Sequence, residues 1–168
     1  MSSWNEKIEK DDFMKIFIGG SRLVSALDNN IIEKLQFLCK NGYEILIGDC
    51  DGIDALAQKY LHETNYKNVT VFACNGKARN NLGKWEVKNV PTPQYLYGAD
   101  YYKKKDIAMA EEADFGYMFW DGKSSGTAAN IRELLKRNKR TYIYLTKTKE
   151  GFWAANMEYL KSICGDAI

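Results

Sequence analysis

Three short stretches of this chain carry the residue types that hold anions. Gly19-Gly20-Ser21-Arg22 follows the apolar run that begins at Met14. Glycine permits positive φ and a close approach of backbone to ligand, while a serine hydroxyl and an arginine fork donate hydrogen bonds to phosphate or carboxylate. Gly48-Asp49-Cys50-Asp51-Gly52-Ile53-Asp54 and Asp121-Gly122-Lys123-Ser124-Ser125-Gly126-Thr127 each sit between an apolar run and a helical pattern. A helix that opens at such a loop presents free N–H groups and a positive dipole end, which favours phosphate. Four carboxylates, Asp49, Asp51, Asp54 and Asp121, lie on the same loops. Two carboxylates beside an N-glycosidic bond could serve as acid and stabiliser, and Asp54 and Asp121 are the catalytic candidates. Acidic residues at helix starts also cap helices, and that reading is preferred for Asp51.

Other chemistries find less support. No Gly-x-Gly-x-x-Gly follows the first apolar run and no Gly-x-x-x-x-Gly-Lys-Ser/Thr occurs, which argues against dinucleotide redox and P-loop phosphoryl transfer. The four cysteines, Cys39, Cys50, Cys74 and Cys164, form no Cys-x-x-Cys pair, and His62 is the single histidine. No metal site, disulfide framework or cofactor is expected. With 24 Lys and Arg against 22 Asp and Glu, the net charge of +2 lacks the strong basic field of a protein that coats nucleic acid. No apolar run is long enough to span a bilayer, and the opening Met-Ser-Ser-Trp-Asn-Glu-Lys lacks the apolar core of a secretion signal, so the expectation is a cytoplasmic protein.

The elements that must position these loops follow from periodicity. Ile31, Ile32, Leu35, Leu38 and Cys39 have helical spacing, with Asp28 as N-cap and Asn41-Gly42 as the stop. Tyr43 to Ile47 and Val69 to Cys74 read as strands, with a helix carrying Ala55, Leu56, Ala57, Tyr60 and Leu61 between them. Residues 77–99 show no clean period, hold both prolines, and read as a long loop of the lid or binding kind or an irregular excursion. A helix from Asp100 to about Ala113, a strand from Phe115 to Trp120, a helix with Ala128, Ile131, Leu134 and Leu135, and a strand from Thr141 to Leu145 follow. The basic run Lys136 to Arg140 is accounted for by the negative end of its helix. A last helix is expected over residues 151–168, and residues 1–13 read as an arm. Trp120 is either a core plug or a wall of a base pocket, and Tyr97, Tyr101 and Tyr102 either stack a base or pack.

Five alternations of apolar strand and helix predict an α/β fold: one domain over residues 1–168, a three-layer Rossmann-like sandwich around a parallel sheet of about five strands. Right-handed crossovers then bring all three glycine loops to one edge, where ligands of open sheets bind.

In order and spacing, Gly19-Gly-Ser-Arg22, Gly48 to Asp54 with Ala55 and Ala57, and Phe119 to Thr127 resemble the SLOG superfamily of Rossmann-like domains, most of all its small stand-alone branch. The Gly-Ser-Arg and Gly-Ile-Asp pieces are also similar to the DNA processing protein A domain. The resemblance spans Lys15 to Leu145 and implies a nucleotide or nucleotide-derived ligand held by the loops. It implies Gly20, Ser21 and Arg22 at phosphate or ribose, Gly52 and Asp54 at the second loop, and Ser125, Gly126 and Thr127 at a phosphate on a helix N-terminus. Gly19, Gly48, Asp49, Trp120, Gly122, Ser124 and Lys105 complete the expected ligand set.

Two departures bear on activity. The related Lonely Guy phosphoribohydrolases and the similar deoxyribosyltransferases carry a catalytic glutamate shortly after Gly-Thr, where this chain has Ala128-Ala-Asn130. Related small proteins favour Arg-Asn where this chain has Lys105-Asp106, and lysine keeps the charge without the fork. The leading reading is therefore a binding domain for a nucleotide-derived signal, such as an ADP-ribose-like molecule. The alternatives are a nucleotide N-glycosidic enzyme using Asp54 or Asp121, and a single-strand nucleic-acid binder using Lys103 to Lys105 and Lys136 to Arg140. Resemblance also implies a homo-oligomer; Phe152 and Trp153, in the tail from Gly151, either serve such an interface or pack on the domain's own sheet.

Overall fold

The computed structural model describes residues 13–165 and 168, so the expected N-terminal arm lies outside the described residues except for Phe13. The chain runs β1 (Lys15–Gly20), α1 (Asn29–Lys40), β2 (Glu44–Ile47), α2 (Ile53–Glu63), β3 (Val69–Cys74), β4 (Glu86–Val90), α3 (Gly98–Glu112), β5 (Phe115–Trp120), α4 (Ser125–Lys136), β6 (Thr141–Leu145), β7 (Glu150–Ala154) and α5 (Met157–Cys164). Seven strands form one sheet in the order β4-β3-β2-β1-β5-β6-β7, parallel throughout except for β7. This is the expected Rossmann-like sandwich, widened by one strand at each edge.

Strand alternation builds the two outer layers. In β1, Ile16 and Ile18 face a layer made by Ile31, Leu35 and Leu38 of α1 and by Ile53, Ala57 and Leu61 of α2. Phe17 points the other way, into a layer with Met109 and Ala110 of α3, Ile131 and Leu134 of α4, and Leu160 of α5. β1 and β2 are covered on both faces, which is why their sequences read as continuous apolar runs. α1 opens on Asp28, whose Oδ1 accepts the Ile31 N–H at 2.9 Å, as its spacing foretold.

Both added strands sit in segments read otherwise. β4 lies inside the expected 77–99 loop. An exposed edge strand needs little apolar patterning, and Glu86, Lys88 and Asn89 all face solvent. β7 replaces the first part of the expected 151–168 helix, which begins only at Met157. Phe152 and Trp153, expected in that helix, alternate across the sheet instead: Trp153 packs on Tyr117 and Tyr142, and Phe152 on Tyr159.

Gly151 of β7 lies under the Tyr142 ring, and a Cβ there would stand 1.8 Å from the tyrosine hydroxyl. Gly151→Ala is expected to tilt that ring, cost about 1–3 kcal/mol of unfolding free energy, and lower the denaturant midpoint by a matching amount.

Candidate functional site

The loop after β1 leads to one side of the sheet and the loop after β5 to the other, so the C-terminal edge between these strands is the topological switch point. A cleft of about 840 Å³ opens there. Arg22, Lys123, Lys147 and Lys149 stand around it, and Leu23, Val24, Ala26 and Ile31 give it an apolar side. Ser124, the N-cap of α4, and Ser125, its first residue, line the cleft; Ser124 Oγ caps the Thr127 N–H, and the positive end of the helix lies at this space.

The cleft's two carboxylates are already engaged by the protein. Asp28 caps α1 and accepts the Tyr144 hydroxyl at 2.7 Å. Asp121 Oδ1 accepts the N–H groups of Lys123 at 2.9 Å and Ser124 at 2.8 Å. Partial burial works against the Asp121 charge, but these N–H donors outweigh it and hold the carboxyl below its ordinary value. Asp121 is thus an ionised loop clamp, and four cations set the sign of the cleft.

Ser21 locks the three loops together. It is fully buried: its N–H donates to Phe119 O at 3.0 Å, its carbonyl accepts from Ile53 N at 3.3 Å, and its Oγ accepts from Asp121 N at 2.9 Å. Two glycines make this junction possible. A Cβ on Gly20 would lie 2.4 Å from Phe119 O, and one on Gly52, at φ +73°, would lie 2.4 Å from Arg22 O. Ser21, Gly20 and Gly52 therefore shape the cleft from behind and leave the Arg22 side chain exposed on it.

Of the expected ligand residues, Arg22, Ser124 and Ser125 line the cleft, together with the catalytic candidate Asp121. Gly126 is exposed at the same helix start, and Gly122, at φ +79°, makes the turn before it. Trp120 is a core plug and not a pocket wall. It is 1% exposed, and its Nε1–H donates to Ser124 O at 3.0 Å, fixing the loop from beneath. Thr127 is also buried, with its hydroxyl turned to Ser124 Oγ, and Gly19 packs on Met118 inside the sheet.

Gly48, Asp49, Asp54 and Lys105 belong to a separate, interior constellation at the end of β2. Asp49 is 1% exposed and takes two donors from Arg79, Nη2 at 2.8 Å and the backbone N–H at 2.9 Å. Lys105, 3% exposed, lies 2.6 Å from Asp106 Oδ1 and 3.9 Å from Asp49 Oδ1. A lysine on the buried side of α3 must find carboxylates, so it serves the interior here and not a ligand. Asp54 Oδ2 accepts Cys50 N–H at 3.2 Å and lies against Gly48, where a Cβ would be 2.6 Å from Asp54 Oδ2 and 3.0 Å from Lys105 Nζ. Burial raises the Asp54 carboxyl to about 7, against the pull of Lys105. For Asp49, burial acts in the same direction but Arg79 outweighs it and holds the carboxyl below its ordinary value.

The roof of this constellation was not legible as a site. Arg79 stacks on the Tyr102 ring at 3.7 Å, and Gln58, fully buried in α2, donates to Gly48 O at 2.9 Å and Asn80 O at 3.1 Å while accepting Leu82 N–H at 3.0 Å. Gln58 fastens the residues between β3 and β4 over the sheet edge. A lone glutamine in a helix gives no signal of this. Lys147 and Lys149 were equally hidden, because they reach the cleft only through the β6–β7 turn.

Tyr102 thus packs under Arg79, Tyr101 accepts from Asn75 Nδ2 at 3.2 Å, and Tyr97 is exposed; none of the three lines the cleft. Among the described residues, no group of three His, Cys, Asp or Glu side chains is placed to hold a metal ion, and no helix is long and apolar enough to cross a membrane.

No protein-family model matches this chain, and no curated protein matches it significantly. Among solved structures, it is similar to DNA processing protein A from Helicobacter pylori, reported for its single-stranded DNA binding mode. The TM-score is 0.61 at 14% identity, covering 89% of this chain and 71% of that one. The two share the Rossmann-like fold.

The interior carboxylates give opposite pH signatures. Asp54 stays protonated in the fold to about pH 7, whereas its unfolded value is near 3.8, so the folded state holds the extra proton between them. Stability is then expected to fall as pH rises through that window, by on the order of 1 kcal/mol per unit at the steepest. Asp49, held low by Arg79, contributes stability that disappears only as pH drops below the ordinary carboxylate range. Urea unfolding of Asp54→Asn from about pH 2 to 8 should show the first slope flattened and the acid loss retained.

Proposed function

We propose that the switch-point cleft binds a nucleotide or nucleotide-derived ligand through its phosphate, and that the chain is a SLOG-type binding domain. The observation that carries this reading is the charge arrangement. Arg22, Lys123, Lys147 and Lys149 surround the start of α4, while Asp28 and Asp121 spend their charge on the protein's own donors. Phosphate would sit against Ser124, Ser125 and the α4 N–H groups, and Leu23, Val24 and Ala26 offer apolar contact for a base or sugar.

Binding without turnover suits the site better than N-glycosidic cleavage. Asn130 cannot serve as nucleophile or base, and Asp54 does not line the cleft. Asp121 does line it, but it is ionised and held by two N–H groups, which leaves no proton to donate to a leaving base. A second reading is single-stranded nucleic acid in the same cleft. Its support is the open, cationic shape and the fold shared with DNA processing protein A, which binds single-stranded DNA.

A thermal-shift panel of nucleoside mono-, di- and triphosphates, ADP-ribose and a short oligonucleotide separates the two. A ligand at about a hundred times its dissociation constant adds roughly 2.7 kcal/mol to the folded state. The expected result is a shift with a nucleotide that Arg22→Ala abolishes and Lys147→Ala/Lys149→Ala weakens. Binding of the oligonucleotide alone, with steep salt dependence, would select the second reading. A flat panel would reject both, and base release with loss on Asp121→Asn would restore the enzymatic one.

A further inference from the structure

Leu23 stands at the cleft almost wholly in water. It is 86% exposed, against 43% for Leu82, the next most exposed leucine among the described residues. The backbone holds it out from both sides. Ser21 and Val24 close a turn with Leu23 near its tip, the Val24 N–H donating to Ser21 O at 3.5 Å. The Arg22 carbonyl is pinned over Gly52, while Val24 and Leu27 pack on the apolar layer of α1 and α2. Two of this loop's large apolar residues thus join the core, and Leu23 is kept from it. A scattered surface leucine needs no explanation, but this one lines a cleft that also gathers four cations.

The two parts of the cleft offer different chemistry. Arg22, Lys123, Lys147 and Lys149 attract phosphate, and Leu23, Val24, Ala26 and Ile31 form the apolar side. Reading a base edge takes donors and acceptors fixed in place, as the carboxamides of Asn and Gln supply. Among the described residues, no Asn or Gln lines the cleft. Both Asp28 oxygens are already taken, by the Ile31 N–H and the Tyr144 hydroxyl. The Ser25 hydroxyl rotates to donate or accept, so it suits any base alike.

We propose that Leu23 is the residue by which this cleft separates a nucleotide from a bare phosphate ester, and that it acts by apolar contact, so the ligand class is nucleotides irrespective of base. The inference rests on the phosphate reading of the cleft. Covering an exposed leucine with the face of a base is worth up to roughly tenfold to a hundredfold in affinity. Every base has such a face. Apolar contact separates one ring from another weakly, whereas fixed hydrogen bonds reach about ten-thousandfold. Phosphate therefore supplies the attraction, and Leu23 supplies the preference for a ring.

Calorimetric titration of the full chain with ADP, GDP, CDP, UDP and methyl diphosphate tests this, because methyl diphosphate keeps the phosphates without base or sugar. The four nucleotides are expected to bind within about tenfold of one another and about tenfold more tightly than methyl diphosphate. Leu23→Ser, at an exposed position that leaves the fold intact, should remove the nucleotide advantage and leave methyl diphosphate unchanged, whereas Leu23→Met should retain it. Lys147→Ala/Lys149→Ala should weaken all five together. A preference of about a hundredfold or more for one base, or a Leu23→Ser variant that keeps the advantage or weakens methyl diphosphate equally, overturns this inference and leaves the phosphate reading standing. Failure of all five compounds to bind overturns both.

Discussion

The cleft depends on one buried serine. Ser21 ties the β1 loop to the end of β5, to the first turn of α2 and to the backbone of Asp121, all within hydrogen-bond distance. Each of those groups is a polar atom at a strand or helix end that would be costly to leave unpaired in the interior. One residue thus satisfies several loop ends, and Gly20 and Gly52 supply the absent side chains that let the backbones meet. Arg22 is exposed because its neighbour is not. The arginine's position on the cleft follows from a junction it takes no part in.

A second constraint acts on the other side of the same edge. Asp49, Asp54, Asp106, Arg79 and Lys105 bring five ionisable groups together, with Asp49, Asp54 and Lys105 buried and Arg79 and Asp106 partly exposed. Such a cluster is tolerable only when charges balance and donors are matched. Raising the Asp54 carboxyl to about 7 leaves two cations facing two carboxylates when that proton is bound. Gln58 holds residues 80 and 82 down, and Asn80 Nδ2 ties the same segment to Asp49 O, which keeps Arg79 on the cluster. The polar segment before β4 is therefore fastened by the ionic interior it covers, and it is a roof to that interior and not a lid over the cleft.

Sheet order explains why these two polar centres differ. The cleft stands where the connections diverge, which leaves an unfilled groove at the strand ends. The ionic cluster stands one strand away, at β2, where α2, α3 and the segment before β4 close over the edge. The same sheet edge thus yields an open anion site and a sealed ion cluster, according to what the chain lays across it.

The sequence by itself determined the parts governed by local rules. Short, nearly continuous apolar runs located β1, β2, β3, β5 and β6, because strands covered on both faces need apolar residues throughout, and apolar residues at helical spacing located their helices, each of which buries one face. It also determined the three glycine loops and the Asp28 cap, since positive φ and exposed N–H groups demand particular residue types nearby. Tertiary structure alone decided which loop residues face the cleft. Ser21, Trp120, Thr127 and Lys105 are chemically fit for a ligand, yet all four are buried: Ser21 Oγ accepts from Asp121 N–H, 100 residues away in sequence, while Trp120 and Thr127 turn inward to Ser124 and Lys105 to Asp106, and which side of a loop or helix is covered depends on packing that no local pattern encodes. It also decided the two edge strands, β4 and β7. An edge strand buries too little to carry a period, and its existence rests on the neighbour that pairs with it.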